Sequence, residues 1–255
     1  MTKKRIIPKL LLDVSSISGK VIAGTSINFE SFRNVGSPLS QAGIYQSTIS
    51  DELMVVFRRN SVCSFELRLE TLSKISEKIL MPLSFGGSIM NLDEVKRLFD
   101  IGIEKVVFGR ALRQNPRLVM ETANLFGSQA VVASLDYSTE SKLEDIEKVT
   151  GLIRLEELTE DISIAVDLGA GEICLNSVSR DGTMSGTDIP ALAMTRSQTN
   201  LPIIQSCGIG KTAHFIDAFE NGADAIAVGT FFAFVDQNFI EIRSHIRNSG
   251  IDIRS

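Results

Sequence analysis

Two stretches of the chain, 120 residues apart, lie over each other without a gap. The first is PLSFGGSIMNLDEVKRLFDIGIEKVVFG, residues 82–109, and the second is PIIQSCGIGKTAHFIDAFENGADAIAVG, residues 202–229. Pro, Ile, Phe, Gly and Gly coincide at 82/202, 89/209, 99/219, 102/222 and 109/229, and the apolar pattern and glycine punctuation run in step. The same offset pairs Glu52 with Glu172, each opening an apolar run. Solenoid units run to roughly 20–50 residues, so a period of 120 in a chain of 255 instead divides it into two similar halves. A duplicated half-barrel, four βα units per half, satisfies that spacing.

Each copy reads strand, glycine turn, helix, strand, glycine. Residues 82–85 and 202–205 are apolar runs too short for helices, 91–99 and 212–219 carry apolar residues at helical spacing, and 106–108 and 225–228 are again short and apolar. Strands alternating with helices imply parallel pairing, because a parallel crossover needs a dozen or more residues. Further strands are expected at 5–12, 52–57, 130–135 and 172–176, which brings the number to eight. That is the content of an α/β (β/α)8 TIM barrel, in about the length such a barrel requires, and it is expected to be one domain spanning residues 1–255. A doubly wound open sheet is the alternative, but it leaves the half-chain repeat unexplained.

Forty-four per cent hydrophobic residues can fill one large core. A net charge of −5 with mixed signs offers no basic face for nucleic acid or an anionic membrane. The three cysteines, Cys63, Cys174 and Cys207, are odd in number and unpaired by spacing, which favours a reducing cytoplasm. The basic opening MTKKR is followed by too few apolar residues for a signal peptide, and no run approaches membrane-spanning length. His214 and His245 fall in expected helices away from other ligand-type residues, so neither a metal nor another cofactor is expected.

In such barrels the chemistry sits on loops at the carboxyl ends of the strands. Those loops are glycine-rich here: 86–88, 109–110, 180–183, 206–208 and 229–230. Glycine lets backbone N–H groups approach an oxyanion, and a helix start adds partial positive charge. A phosphate site after strands 7 and 8 recurs in these barrels and points to Ser206, Gly208, Gly229 and Thr230. The repeat then predicts a related site from Gly87, Ser88, Gly109 and Arg110. The plainer reading of any single glycine is a tight turn.

The chain resembles the cyclase subunit of imidazole glycerol phosphate synthase and its relatives along nearly its whole length. The resemblance is carried by KRIIP (4–8), DELMVV (51–56), FGGSI (85–89), EKVVFG (104–109), FGSQAVV (126–132), LGAGEI (168–173), SRDGTMSGTD (179–188) and GADA (222–225). It implies a (β/α)8 barrel that receives ammonia along its axis from a glutaminase partner docked at the amino-terminal face. It also implies cleavage and cyclisation of a substrate carrying two phosphates, with Asp181, Gly182 and Thr183 among the binding residues. Arg5, Glu52, Lys105 and Glu172 match the family's charged ammonia gate at the barrel bottom; an ion-pair cluster that only stabilises the barrel would use the same residues.

The resemblance further implies two aspartates, at the ends of strands 1 and 5, as general acid and base. Asp136 matches the second. At the first, the chain reads IIPKLLLDV, which places Leu11 in register, so Asp13 serves only if two residues are absorbed in the strand or turn. Leu11 and Asp13 share one side of a strand, about 6.6 Å apart. The family's first-loop lysine is Ala23, its strand 4 Asn-Thr is Gly109-Arg110, its strand 2 ending is replaced by Phe57-Arg58-Arg59, and the first loop, 14–36, is longer. Relatives whose first strand reads IPxLLL are associated with sugar amidation in surface-polysaccharide synthesis, where the barrel hands ammonia to a third, sugar-modifying enzyme. The expected function is therefore an ammonia-delivering barrel of this kind. The alternatives are a histidine-biosynthesis cyclase, a phosphosugar isomerase of the same barrel type, and a scaffold that only activates a glutaminase.

Overall fold

The computed structural model describes residues 3–29, 31–48, 50–58, 63–139, 152–235 and 239–254. Arg59 and the segment 140–151 lie outside the described residues. The strands are β1 (Arg5–Val14), β2 (Val21–Ile27), β3 (Ser31–Gly36), β4 (Leu53–Phe57), β5 (Leu83–Gly86), β6 (Lys105–Phe108), β7 (Val131–Ser138), β8 (Ile153–Arg154), β9 (Glu172–Ser177), β10 (Ile203–Ser206) and β11 (Ala225–Val228).

Eight of them, β1, β4, β5, β6, β7, β9, β10 and β11, pair in parallel in that order. The sheet closes on itself where Arg5–Pro8 of β1 pairs with Ala225–Val228 of β11. Helices cover the outside, as the expected (β/α)8 barrel requires. The half repeat survives folding to the residue. The unit β5, helix Leu92–Asp100, β6 has every boundary 120 residues before β10, helix Thr212–Glu220, β11. The first of these helices starts where Asn91 Oδ1 accepts from Glu94 N at 2.9 Å, a side-chain cap for one of the otherwise unpaired first-turn N–H groups.

Alternation along the strands sorts apolar side chains into two layers. Ile7, Met54, Val107, Val132, Cys174, Ile204, Ala225 and Ala227 form a small cluster that fills the barrel. Their neighbours, Ile6, Leu53, Val55 and Val106 among them, join the larger core beneath the helices. The inner layer makes the barrel a packed body.

Two departures from the sequence expectation lie at the carboxyl end. β1 continues two residues past 12, because Leu11–Val14 pairs antiparallel with Val21–Gly24. The long first loop is thus the hairpin β2–β3. The seventh strand in sequence likewise runs on to Ser138, where it gains a short pairing with β8.

Candidate active site and charged ring

At the amino-terminal end Arg5, Glu52, Lys105 and Glu172 meet in a closed ring. Arg5 donates to Glu52 Oε2 at 3.0 Å and to Glu172 Oε1 at 3.1 Å. Lys105 Nζ donates to the same two oxygens at 2.9 and 3.2 Å. Burial alone would lower the Arg5 pKa, but Glu172 and Glu52 outweigh it and the net shift is upward. Two acids and two bases in alternation satisfy each other only partly. Among the described residues, Glu52 Oε1 and Glu172 Oε2 are buried acceptors with no hydrogen-bond partner. Such orphaned oxygens are costly, and a small N–H donor would satisfy them.

Above the inner apolar layer, the strand ends open into a cavity of about 590 Å³. Asp136 lines it from β7, and its Oδ1 accepts from Asn176 Nδ2 at 2.6 Å and Ser134 Oγ at 3.1 Å. On the β1 wall the lining residues are Lys9 and Leu11, and Asp13 is not one of them. Asp13 Oδ2 instead accepts from Arg58 Nη1 at 3.1 Å, and its Oδ1 from the Val14 N–H at 2.8 Å. The structure therefore does not bring Asp13 and Asp136 together across the cavity.

Both glycine turns border the cavity, with Gly87, Ser88, Gly109 and Arg110 on one side and Ser206, Gly208, Gly229 and Thr230 on the other. Both turns carry two consecutive positive-φ residues at equivalent positions of the repeat: φ is +149° at Gly87 and +45° at Ser88, and +76° at Cys207 and +84° at Gly208. Left-handed conformations at the non-glycine positions Ser88 and Cys207 cost roughly 1–3 kcal/mol each. The first turn is braced by Arg68, which donates to the carbonyls of Gly87 (2.8 Å) and Ser88 (3.2 Å). The second is braced by Gly186, whose N–H donates to Gly208 O at 2.7 Å. Successive backbone N–H groups in such concave turns suit an anion.

Asp181 has a different place from Asp136. Its Oδ2 accepts from Ser26 Oγ at 2.6 Å and Phe29 N at 3.2 Å, and its carbonyl accepts from Asn28 N at 3.1 Å. It thereby fastens the β2–β3 hairpin over the cavity. Gly182 fits only as glycine, since its φ is +72° and a Cβ would collide with the Ser26 carbonyl. Thr183 does not line the cavity; its Oγ1 donates to Arg180 O at 3.0 Å.

Sequence reasoning missed Lys9, Asn176 and Ser134. Lys9 shares one face of β1 with Arg5, Ile7 and Leu11, a parity that in sequence does not set it apart from a surface lysine. Burial pushes the Cys207 thiol pKa up, which works against a nucleophilic role.

A closed parallel barrel with a cavity at its strand ends, bordered by two glycine turns related across the repeat, defines a (β/α)8 enzyme scaffold. The chain belongs to the histidine biosynthesis protein family, whose model matches residues 5–237. It is 40% identical, over the whole chain and 99% of the relative, to a protein of Prochlorococcus marinus (strain MIT 9313) provisionally named imidazole glycerol phosphate synthase subunit hisF2. It is 36% identical, over the full length of both, to imidazole glycerol phosphate synthase subunit HisF of Chlorobium limicola. Identity is also 36% to HisF of Thermotoga sp. (strain RQ2), over the whole chain and 98% of that protein. The chain is thus HisF-like, similar throughout to subunits of an enzyme. Among the described residues no helix is long and apolar enough to cross a membrane.

Proposed function

We propose that this chain takes ammonia from a glutaminase subunit docked at its amino-terminal face and carries it through the barrel, chiefly to deliver it for sugar amidation in surface-polysaccharide synthesis. The single observation that carries the choice is the β1 wall of the cavity. Leu11 lines it, while Asp13 is held by Arg58. A two-carboxylate acid–base site loses on the order of 10²–10⁴ in rate without one partner. Asp136 alone is a poor basis for cyclisation. The charged ring, with its orphaned Glu52 and Glu172 oxygens beneath an apolar layer, supports the ammonia route. The paired glycine turns support a ligand with phosphoryl groups, and the cytoplasm, where such intermediates are held, is the proposed compartment.

The reading is tested with glutamine labelled with ¹⁵N in its amide, in buffer containing unlabelled ammonium. The complex should form at 1:1 and the amidated product should keep the label. Dilution of the label by buffer ammonium would contradict passage through the barrel. A second reading, a histidine-pathway cyclase acting on a bisphosphorylated ribonucleotide, is favoured by Asp136, which meets Asn176 and Ser134 in the cavity.

A further inference from the structure

Lys9 is a residue of the cavity that the ammonia route leaves without a task. Arg5, Ile7, Lys9 and Leu11 alternate onto one side of β1, so Lys9 stands one step, about 6.6 Å, above Ile7 of the inner layer. Its Nζ donates to Asn176 Oδ1 at 3.1 Å and to Ser206 Oγ at 3.2 Å. The Phe29 ring, brought over by the hairpin, lies 5.8 Å from the same ammonium. Asn176 hands on to Asp136, while Ser206 opens the second-half glycine turn. Lys9 therefore joins the carboxylate network to the anion-binding turn.

An ammonium has three N–H donors. Asn176 and Ser206 take two, and Lys9 lines the cavity, so a third can serve a ligand there. Burial alone would lower the Lys9 pKa, but the sulfurs of Cys207 and Cys174 and then Asp181 and Asp136 turn the net shift upward. The Lys9 ammonium, held by Asn176 and Ser206, brings positive charge to the cavity beside Asp136 and Asp181.

Resting on the reading of the second-half turn as a phosphoryl site, we propose that Lys9 is a specificity-determining residue whose ammonium takes an acceptor oxygen of the ligand, on that phosphoryl group or on the carbon beside it. The β1 wall then selects an acceptor, where a carboxylate at position 11 would have selected a donor.

Calorimetric titration of the full chain tests this with inorganic phosphate, glycerol 3-phosphate and dihydroxyacetone phosphate, in wild type, Lys9→Met, Lys9→Arg and Arg110→Met. A charge-assisted hydrogen bond predicts that Lys9→Met binds about 10-fold or more weakly, with Lys9→Arg recovering part of the loss. Loss with all three probes assigns the oxygen to the phosphoryl group; loss confined to dihydroxyacetone phosphate assigns it to the carbonyl. Either supports the proposal. Unchanged binding in a folded Lys9→Met overturns it, and if Arg110→Met alone weakens binding, the first-half turn is the phosphoryl site and the Lys9 assignment falls. No binding by the wild type removes both. Should Lys9→Met not fold, Lys9→Gln replaces it under the same criteria.

Discussion

Arg58 Nη1 stands 3.1 Å from Asp13 Oδ2, and this pair keeps the first carboxylate after the β1 wall at the rim of the barrel. The antiparallel pairing of Asp13 with Ile22 fixes the backbone on the other side. Partly exposed ion pairs contribute about 0–1 kcal/mol. Asp13→Asn and Arg58→Met should therefore each shift the urea midpoint only slightly and leave ammonia transfer within about twofold of wild type. A loss approaching the 10²–10⁴ of an acid–base group would return Asp13 to the chemistry.

The Asp181 carboxylate accepts from Ser26 Oγ and Phe29 N, and these two bonds fasten the hairpin over the cavity alongside the backbone bond from Asn28 N to Asp181 O. Hydrogen bonds to a charged group are each worth about 1.5–3 kcal/mol. Asp181→Ala should raise amide hydrogen exchange across residues 26–29 by at least tenfold while β5 and β6 stay protected. Unchanged exchange would place the hairpin's stability in its own strands.

Lys105 bridges Glu52 and Glu172 in the bottom ring. On the proposed ammonia route, Lys105→Ala should leave the barrel folded and lower the amount of product formed per glutamate released, because the ring would no longer close around that route. The two quantities measured together in the reconstituted complex check this. Equal ratios in variant and wild type would reduce the ring to ion pairing.

His214 lies beside the second-half turn, where its Nδ1 accepts from Gly210 N at 3.1 Å. Burial lowers its pKa, Lys211 adds to the effect, and Asp217 opposes it. The folded state thus binds the proton less well than the unfolded state. The corresponding stability is present above about pH 6.5 and is lost as pH falls from there through the folded value. Thermal melts of wild type and His214→Asn across pH 5–7.5 should show a shallower acid loss in the variant.

The eight barrel strands were legible because parallel β/α units impose short apolar runs at long spacing, and the 120-residue repeat doubled that signal. The bottom ring could be found because Arg5, Glu52, Lys105 and Glu172 match the charged gate of the family the chain resembles, each at the start of an expected strand. Two things stayed hidden. The β2–β3 hairpin pairs antiparallel with β1, a local pairing that the βα rhythm does not announce. Lys9 reads in sequence as a surface lysine, and only closure of the barrel sets it against Asn176 and Ser206, 167 and 197 residues away.

The most direct test of a barrel that delivers ammonia without completing the cyclase chemistry is complementation of a cyclase-deficient bacterium on medium lacking histidine. The arrangement of Leu11, Asp13 and Arg58 predicts no growth with this chain, although the protein is expressed and folded. Growth at a rate comparable to that with an authentic cyclase subunit would contradict it, and would assign Asp136 and its neighbours to histidine biosynthesis.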